Sequence, residues 1–121
     1  MSVDVFIDRM DLNKSWNIGN SSFSVLEPLI EERFQNDSEP LEAVLSGAGL
    51  GGISLPVIAD GWSRDVAKRV AEGLMDIANE IASGYVDLYE YESAEQEQKT
   101  RSKFAQLVSL LEEFLEKHEQ P

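Results

Sequence analysis

The chain has 121 residues, of which 42% are hydrophobic. This is enough apolar material for one domain with one core, and too much for a disordered segment. Acidic side chains outnumber basic ones by 23 to 10, and the resulting net charge of −13 argues against binding to nucleic acid or to anionic membranes. The charge favours either a basic partner or simple solubility, and the absence of cysteine excludes disulfides, thiolate catalysis and thiolate metal sites.

The N-terminal stretch MSVDVFIDRMDLNK does not have the order of a secretory signal, in which a cationic segment precedes a long apolar one. No apolar run approaches the roughly 20 residues that span a bilayer. We therefore expect a cytoplasmic protein that does not bind membranes.

Residues 3–7, VDVFI, predict a short strand because they are β-branched and aromatic. Residues 11–23 are rich in Asn, Ser and Gly and predict a loop, which Trp16, Ile18 and Phe23 would attach to the core. The elements that follow are helical. The predicted fold is therefore mainly α. It is a compact single-domain helical bundle over residues 1–121, and it can include a short N-terminal strand.

The first predicted helix begins at a capping box formed by Ser24 and Glu27 and continues to about Gln35. A second, shorter helix starts beyond Ser38, which is a favourable N-cap residue. Gly47 stands where a helix C-cap glycine is expected.

Residues 46–54 read SGAGLGGIS, and three of their glycines have the spacing G-x-G-x-x-G. A dinucleotide-binding segment with this spacing follows a strand and opens a helix, so that backbone N–H groups face the pyrophosphate. Here the glycines follow a helical pattern, and Pro56 is expected to prevent a helix from starting at once. We therefore predict a flexible joint and no nucleotide or other cofactor.

The strongest helical pattern follows Ser63, which is its predicted N-cap. Alanines lie beside a stripe of large apolar side chains that recur at intervals of three and four residues. The stripe consists of Val66, Val70, Leu74, Ile77 and Ile81. Ser83 and Gly84 are expected to end this helix. A stripe of this kind predicts the central helix of the core.

Residues 85–92, YVDLYEYE, are ambiguous. Their alternation is typical of an edge strand, whereas Asp87 with Glu90 could begin a helix. We favour a helix or irregular structure. From Ser93 onwards, strong helix formers predict a long C-terminal helix.

Catalytic and metal-binding patterns are weak in this sequence. The single histidine, His118, lies near the C-terminus among charged residues, where a catalytic base would not be held in a cleft. The calcium-loop-like start at residues 11–15 fails, because Trp16 and Ser22 stand where glycine and a bidentate glutamate are required. We therefore expect a protein that is not an enzyme and holds no metal, although a carboxylate-dependent enzyme stays open as a third hypothesis.

The most suggestive surface lies between Tyr85 and Glu97, where five acidic residues occur without any Lys or Arg. Tyrosines are favoured at binding hot spots, and carboxylates around them would steer a basic partner. The predicted partner-binding residues are Tyr85, Asp87, Tyr89, Glu90, Tyr91 and Glu92, with Asp60 and Trp62 as a second anchor. The alternative is that the tyrosines fill the edge of the core and the acids only solvate the chain.

The stretch PLEAVLSGAGLGGISLPVIADGWSRDVAKRVAEGLMDIANEIASG, residues 40–84, resembles immunity proteins of bacterial contact-dependent growth-inhibition systems. The resemblance implies a cytoplasmic protein that binds one cognate toxin, often a basic nuclease, and occludes its active site. It assigns no role to individual residues. The alternative hypothesis is a helical adaptor or assembly subunit without an inhibitory role.

Overall fold

The computed structural model describes residues 2–8 and 14–119. Helices make up 68% of it, which confirms the mainly α prediction. The elements in chain order are β1 Ser2–Phe6, β2 Ser15–Gly19, α1 Asn20–Arg33, α2 Ser38–Gly49, β3 Gly52–Ser54, α3 Leu55–Gly61, α4 Arg64–Ala82 and α5 Ala94–Glu119. Because a three-stranded sheet packs with five helices in the described part, the architecture is not purely a helical bundle.

The sheet has the order β2-β1-β3, with β1 antiparallel to β2 and parallel to β3. The predicted strand at the N-terminus is confirmed as β1, and Val5 lies opposite both Trp16 and Ile53. The prediction of a loop over residues 11–23 is wrong for its second half, since residues 15–19 form β2 and α1 begins at Asn20. Trp16 and Ile18 alternate with polar residues and are buried, and this period of two is that of a half-buried strand.

Helix α1 begins earlier than the capping box at Ser24 predicts. Its N-cap is Gly19, so Ser24 lies within the helix and Pro28 lies in its interior. The added turn carries Phe23, which is buried in line with Leu26 and Ile30. Burial of this aromatic ring extends the apolar face of α1 and accounts for the earlier start.

The glycine segment, which was predicted to be a joint, contains regular structure. Helix α2 passes through Gly47, which was expected to end it, and stops at Gly49 with Leu50 as its C-cap. Gly51 then adopts a φ of 90°, a conformation that residues with a Cβ rarely take. Residues 52–54 pair with β1 as strand β3.

Pro56 does not delay the next helix. It lies in the first turn of α3, where a missing N–H removes no intrahelical hydrogen bond. The hydroxyl of Ser54 caps this turn by accepting a hydrogen bond from the N–H of Val57 at 3.5 Å.

The predicted central helix is confirmed as α4. Ser63 caps it by accepting from the N–H of Val66 at 3.0 Å, and all five large apolar residues of its stripe are buried. Helix α4 packs against α1, α2, α3 and α5. The predicted C-terminal helix is confirmed as α5, and Phe104, Leu107 and Leu111 face the core. Within the described ranges, no helix is long and apolar enough to cross a membrane.

Gly73, in the middle of α4, provides a test of this packing. A Cβ at this position would lie 2.2 Å from Cζ of Phe34, whose side chain is buried. We expect Gly73→Ala to lower the free energy of unfolding by about 1–3 kcal/mol through overpacking. Helix propensity alone predicts the opposite sign, a gain of about 1 kcal/mol.

Urea denaturation of Gly73→Ala and of Gly49→Ala checks this expectation. Gly49 is the matched control, because it is also helical and an added Cβ would meet no described atom within 4 Å beyond its own helix and chain neighbours. Its substitution should leave stability unchanged or raise it by up to about 1 kcal/mol. A Gly73→Ala protein as stable as the parent would contradict the close packing of Phe34 on α4.

Candidate protein-binding surfaces

Residues 85–92 are irregular in the structure, which confirms one of the two favoured interpretations and rules out the edge strand. Arg101 of α5 holds this segment. Its guanidinium donates to the carbonyl oxygen of Ile81 at 2.6 Å and to that of Val86 at 3.3 Å, and it pairs with Asp87 at 2.6 Å. The predicted binding residue Asp87 is therefore engaged within the chain.

Hydrogen bonds from Arg101 to Asp87 and then to Glu97 raise the pKa of Arg101 above its ordinary value. The Arg101 side chain is only 16% exposed. An arginine stays protonated throughout the pH range in which proteins fold. Arg101 therefore keeps its positive charge, and its ion pair with Asp87 does not depend on deprotonation of the arginine.

The three tyrosines of the segment have different surroundings. Tyr89 is half-buried and its hydroxyl lies 3.2 Å from Oγ1 of Thr100. Tyr91 is also half-buried, accepts a hydrogen bond from the N–H of Leu88 at 3.3 Å, and packs its ring 5.3 Å from that of Tyr89. Tyr85, by contrast, is 82% exposed. Of the predicted aromatic anchors in this segment, Tyr85 is the one presented to solvent, with Glu90 and Glu92 exposed nearby in sequence.

Tyr85 lies beside a hollow of about 440 Å³ between α1 and α4, which we call the tyrosine groove. Leu29 and Ile77 supply apolar lining, while Glu32 and Glu80 add carboxylates. Neither of these two glutamates forms an ion pair with a described residue. The groove therefore combines an exposed aromatic ring with these two carboxylates, and Arg33 and Asp76, which pair with each other, also line it.

A second surface surrounds Trp62, which is 43% exposed. Trp62 lines a hollow of about 380 Å³ together with Leu50, which is 90% exposed, and Val57, which is 63% exposed. We call this surface the apolar hollow. Among the described residues no charged side chain lines it, and apart from the indole of Trp62 its polar side chains are those of Ser46 and Ser54.

The exposure of these residues follows from the short elements that carry them. Helix α3 turns Leu55 and Ile58 towards the core, so Val57 lies on its outer side. Leu50 is the C-cap of α2, just before the turn at Gly51. Leu50 and Val57 therefore both lie at the surface, in the same hollow as Trp62.

The segment of sequence that supplies the apolar hollow is acidic. No Lys or Arg occurs between Arg33 and Arg64, whereas this stretch contains four acids: Asp37, Glu39, Asp60 and Glu42. Glu42 and Ser46 precede Leu50 at intervals of four residues, which places Glu42 on the same side of α2. Asp60 is exposed and lies three residues after Val57 on α3.

The structure thus places the two predicted regions on different surfaces. Trp62, chosen from the sequence as a second anchor, lies in the apolar hollow, and Asp60 is near it in the chain. Sequence reasoning missed Leu50, which was assigned to the predicted joint, and Val57, which lies in the stretch where Pro56 was expected to prevent a helix from starting at once. A large apolar residue between glycines was the available signal for Leu50.

No group of three or more histidines and carboxylates that could hold a metal occurs in residues 2–8 and 14–119. The ring of His118 packs 5.3 Å from that of Phe114. Residues 11–13 of the calcium-loop-like start lie outside the described part. Comparison with known proteins gave no match, either to a protein-family model, to a curated protein or to a solved structure.

Proposed function

We propose that this chain is an immunity protein, which binds and neutralises a cognate basic bacterial toxin of the nuclease type by occluding its active site. The observation that carries the proposal is the apolar hollow. Leu50, Val57 and Trp62 are exposed together, in a stretch without basic residues, on a protein of net charge −13. Such a surface offers apolar anchors on a protein whose net charge is strongly negative.

The apolar hollow supports a protein partner, because contiguous exposed apolar side chains rimmed by polar residues mark interaction sites. Each such side chain stays in water at a cost of about 25 cal/mol per Å² of apolar area, which burial against a partner would recover. Tryptophan is also enriched among the residues that dominate binding energy. A protruding apolar side chain of the partner would fill this hollow.

The distribution of charge supports a basic partner. Many of the arginines and lysines are already paired within the chain, as Arg33 is with Asp76 at 2.9 Å and Arg69 with Asp37 and Asp65. Exposed carboxylates without an ion pair to a described residue remain on several elements: Glu32, Glu42, Glu80, Glu90 and Glu92. A nuclease carries Lys and Arg to bind phosphates, so these carboxylates would attract the surface that its substrate uses.

A helical adaptor or assembly subunit is the second candidate function. The position of β2 at the outside of the sheet favours it, since edge strands can join another strand. Under the immunity proposal the protein acts in the cytoplasm, where a nuclease toxin meets its substrate.

The test uses the product of the open reading frame directly upstream of the gene. We expect that product to be toxic when made alone, to be neutralised by this protein, and to form a stoichiometric complex with it. The association rate should fall as salt is raised, because exposed charges are screened over about 8 Å at physiological ionic strength. If the product is harmless and does not bind, the immunity proposal is wrong.

A further inference from the structure

The tyrosine groove is lined by apolar side chains that are partly or fully covered and by acidic side chains that reach the solvent. Leu29 is half-buried and Ile77 is buried, whereas Glu32, Glu80 and Tyr85 are exposed. Each of the two helices contributes one apolar and one acidic side chain at a spacing of three residues, which places them on one helix face. A long side chain with an apolar stem and a cationic end matches this arrangement.

The charges that line the groove are three carboxylates and one guanidinium. The guanidinium, that of Arg33, is already engaged, because it donates to Asp76 at 2.9 Å and lies 5.6 Å from the ring centroid of Phe34. The carboxylates of Glu32 and Glu80 form no ion pair with any described residue. The described part of the chain therefore leaves two exposed carboxylates of this groove without a cation.

The chain itself shows how a tyrosine and two carboxylates hold a guanidinium. Arg101 lies 5.2 Å from the ring centroid of Tyr91 and donates to Asp87 at 2.6 Å and to Glu97 at 3.1 Å. Tyr85 has an exposed ring and two carboxylates in the same groove, but no Arg or Lys of the described residues lies over this ring. The same chemical groups are present at Tyr85 without the cation.

We propose that the tyrosine groove binds one arginine side chain of the basic partner, with the guanidinium on the ring of Tyr85 and its N–H groups donating to Glu32 and Glu80. This inference rests on the proposed function, which supplies the basic partner. The stem of the arginine covers Leu29 and Ile77 while its charged end stays near the solvent. Arginine suits the groove better than lysine, because a planar guanidinium stacks on aromatic rings and presents several N–H groups at once.

The charge of the groove selects this occupant over others. A purely apolar side chain would cover Glu32 and Glu80 without offering them a hydrogen bond, which costs free energy. An acidic side chain would be repelled by both carboxylates, and a second copy of this chain would be repelled by its own net charge of −13. A cation with an apolar stem satisfies both the lining and the charge.

Titration of the isotope-labelled protein with small probes, followed by NMR, tests the proposal without the toxin. N-acetyl-arginine amide should bind saturably at millimolar concentrations and shift the backbone signals of Glu80, Tyr85 and Val86 most. The citrulline analogue has the same shape without the charge and should bind about tenfold more weakly, and the lysine analogue should bind about threefold more weakly. If either analogue binds as tightly as the arginine probe, or if the groove signals do not shift, the proposal is overturned.

Matched variants separate the groove from the overall charge. Glu32→Gln combined with Glu80→Gln should weaken binding of the arginine probe about tenfold. Glu31→Gln combined with Glu42→Gln removes the same charge at exposed positions outside the groove and should weaken binding less than about twofold. Tyr85→Leu should weaken binding about threefold, whereas Tyr85→Phe keeps the ring and should bind like the parent. Equal losses in the two double variants, with circular dichroism as the folding control, would show that the groove is not the site.

The outcome for the groove is distinguishable from the outcome for the proposed function. If the upstream toxin is neutralised but the arginine probe does not bind, this inference fails and the immunity proposal stands. If the arginine probe binds in the groove but the upstream product does not bind, the groove is supported and the immunity proposal fails. When both bind, the variant of Glu32 and Glu80 should also weaken toxin binding about tenfold, and unchanged toxin binding would overturn the inference.

Discussion

Replacement of Val70 by aspartate is expected to unfold the protein. Val70 is fully buried on α4, the helix that packs against the other four helices of the described part. A buried carboxylate without a partner costs several kcal/mol, and the net stability of a domain of this size is only about 5–15 kcal/mol. Far-UV circular dichroism and thermal denaturation of Val70→Asp measure the effect.

Asn79→Asp is the matched control for this substitution. It introduces the same side chain on the same helix at an exposed position. Its free energy of unfolding should stay within about 1 kcal/mol of the parent, allowing for an added negative charge near the C-terminus of the helix. If Val70→Asp melts like Asn79→Asp, α4 is not the centre of the core.

The second large effect is expected at the apolar hollow and rests on the proposed function. Trp62→Ala should weaken toxin binding by about 2 kcal/mol or more, since a partly exposed tryptophan in a hollow has the properties of a hot spot. Leu50→Ala should also weaken binding, and it should leave stability unchanged because Leu50 is 90% exposed. Both changes should act mainly on the dissociation rate, as loss of packed contacts does.

Two further variants decide where the binding surface lies. Val25→Ala is the control, because Val25 is an exposed apolar residue of α1 that does not line the apolar hollow. Tyr85→Ala tests the tyrosine groove. If Leu50→Ala and Trp62→Ala bind as the parent does while Tyr85→Ala is weakened, the apolar hollow is not the anchor and the tyrosine groove replaces it. Binding kinetics against the toxin, with circular dichroism as the folding control, distinguish these outcomes.

Part of the candidate surface could be recognised from the sequence. Trp62 was selected from the sequence as a second anchor beside Asp60, and Tyr85 belongs to an acidic, tyrosine-rich segment. The sequence does not separate Tyr85 from Tyr89 and Tyr91. That difference depends on Thr100 and Arg101 of α5, which contact Tyr89 and Tyr91 after the chain has folded back. Leu50 and Val57 were missed because their exposure depends on which neighbours face the core.

The sequence by itself determined the long helices. In α4 and α5 the apolar period repeats over many turns, and the cap at Ser63 is a contact between residues three positions apart. The information that specifies such helices is local, so it can be read in order along the chain. The strand β1 was also recognised, because its β-branched and aromatic residues are consecutive.

Only the tertiary structure decided the sheet and the elements beside it. Strand β2 has five residues and strand β3 has three. Each is stabilised by pairing with β1, and β1 is distant in sequence from β3. The earlier start of α1 depends on burial of Phe23, and the close approach of α4 to Phe34 depends on the missing side chain of Gly73. These features depend on contacts between residues distant in sequence. The sequence of a short segment does not specify the surface against which it will pack.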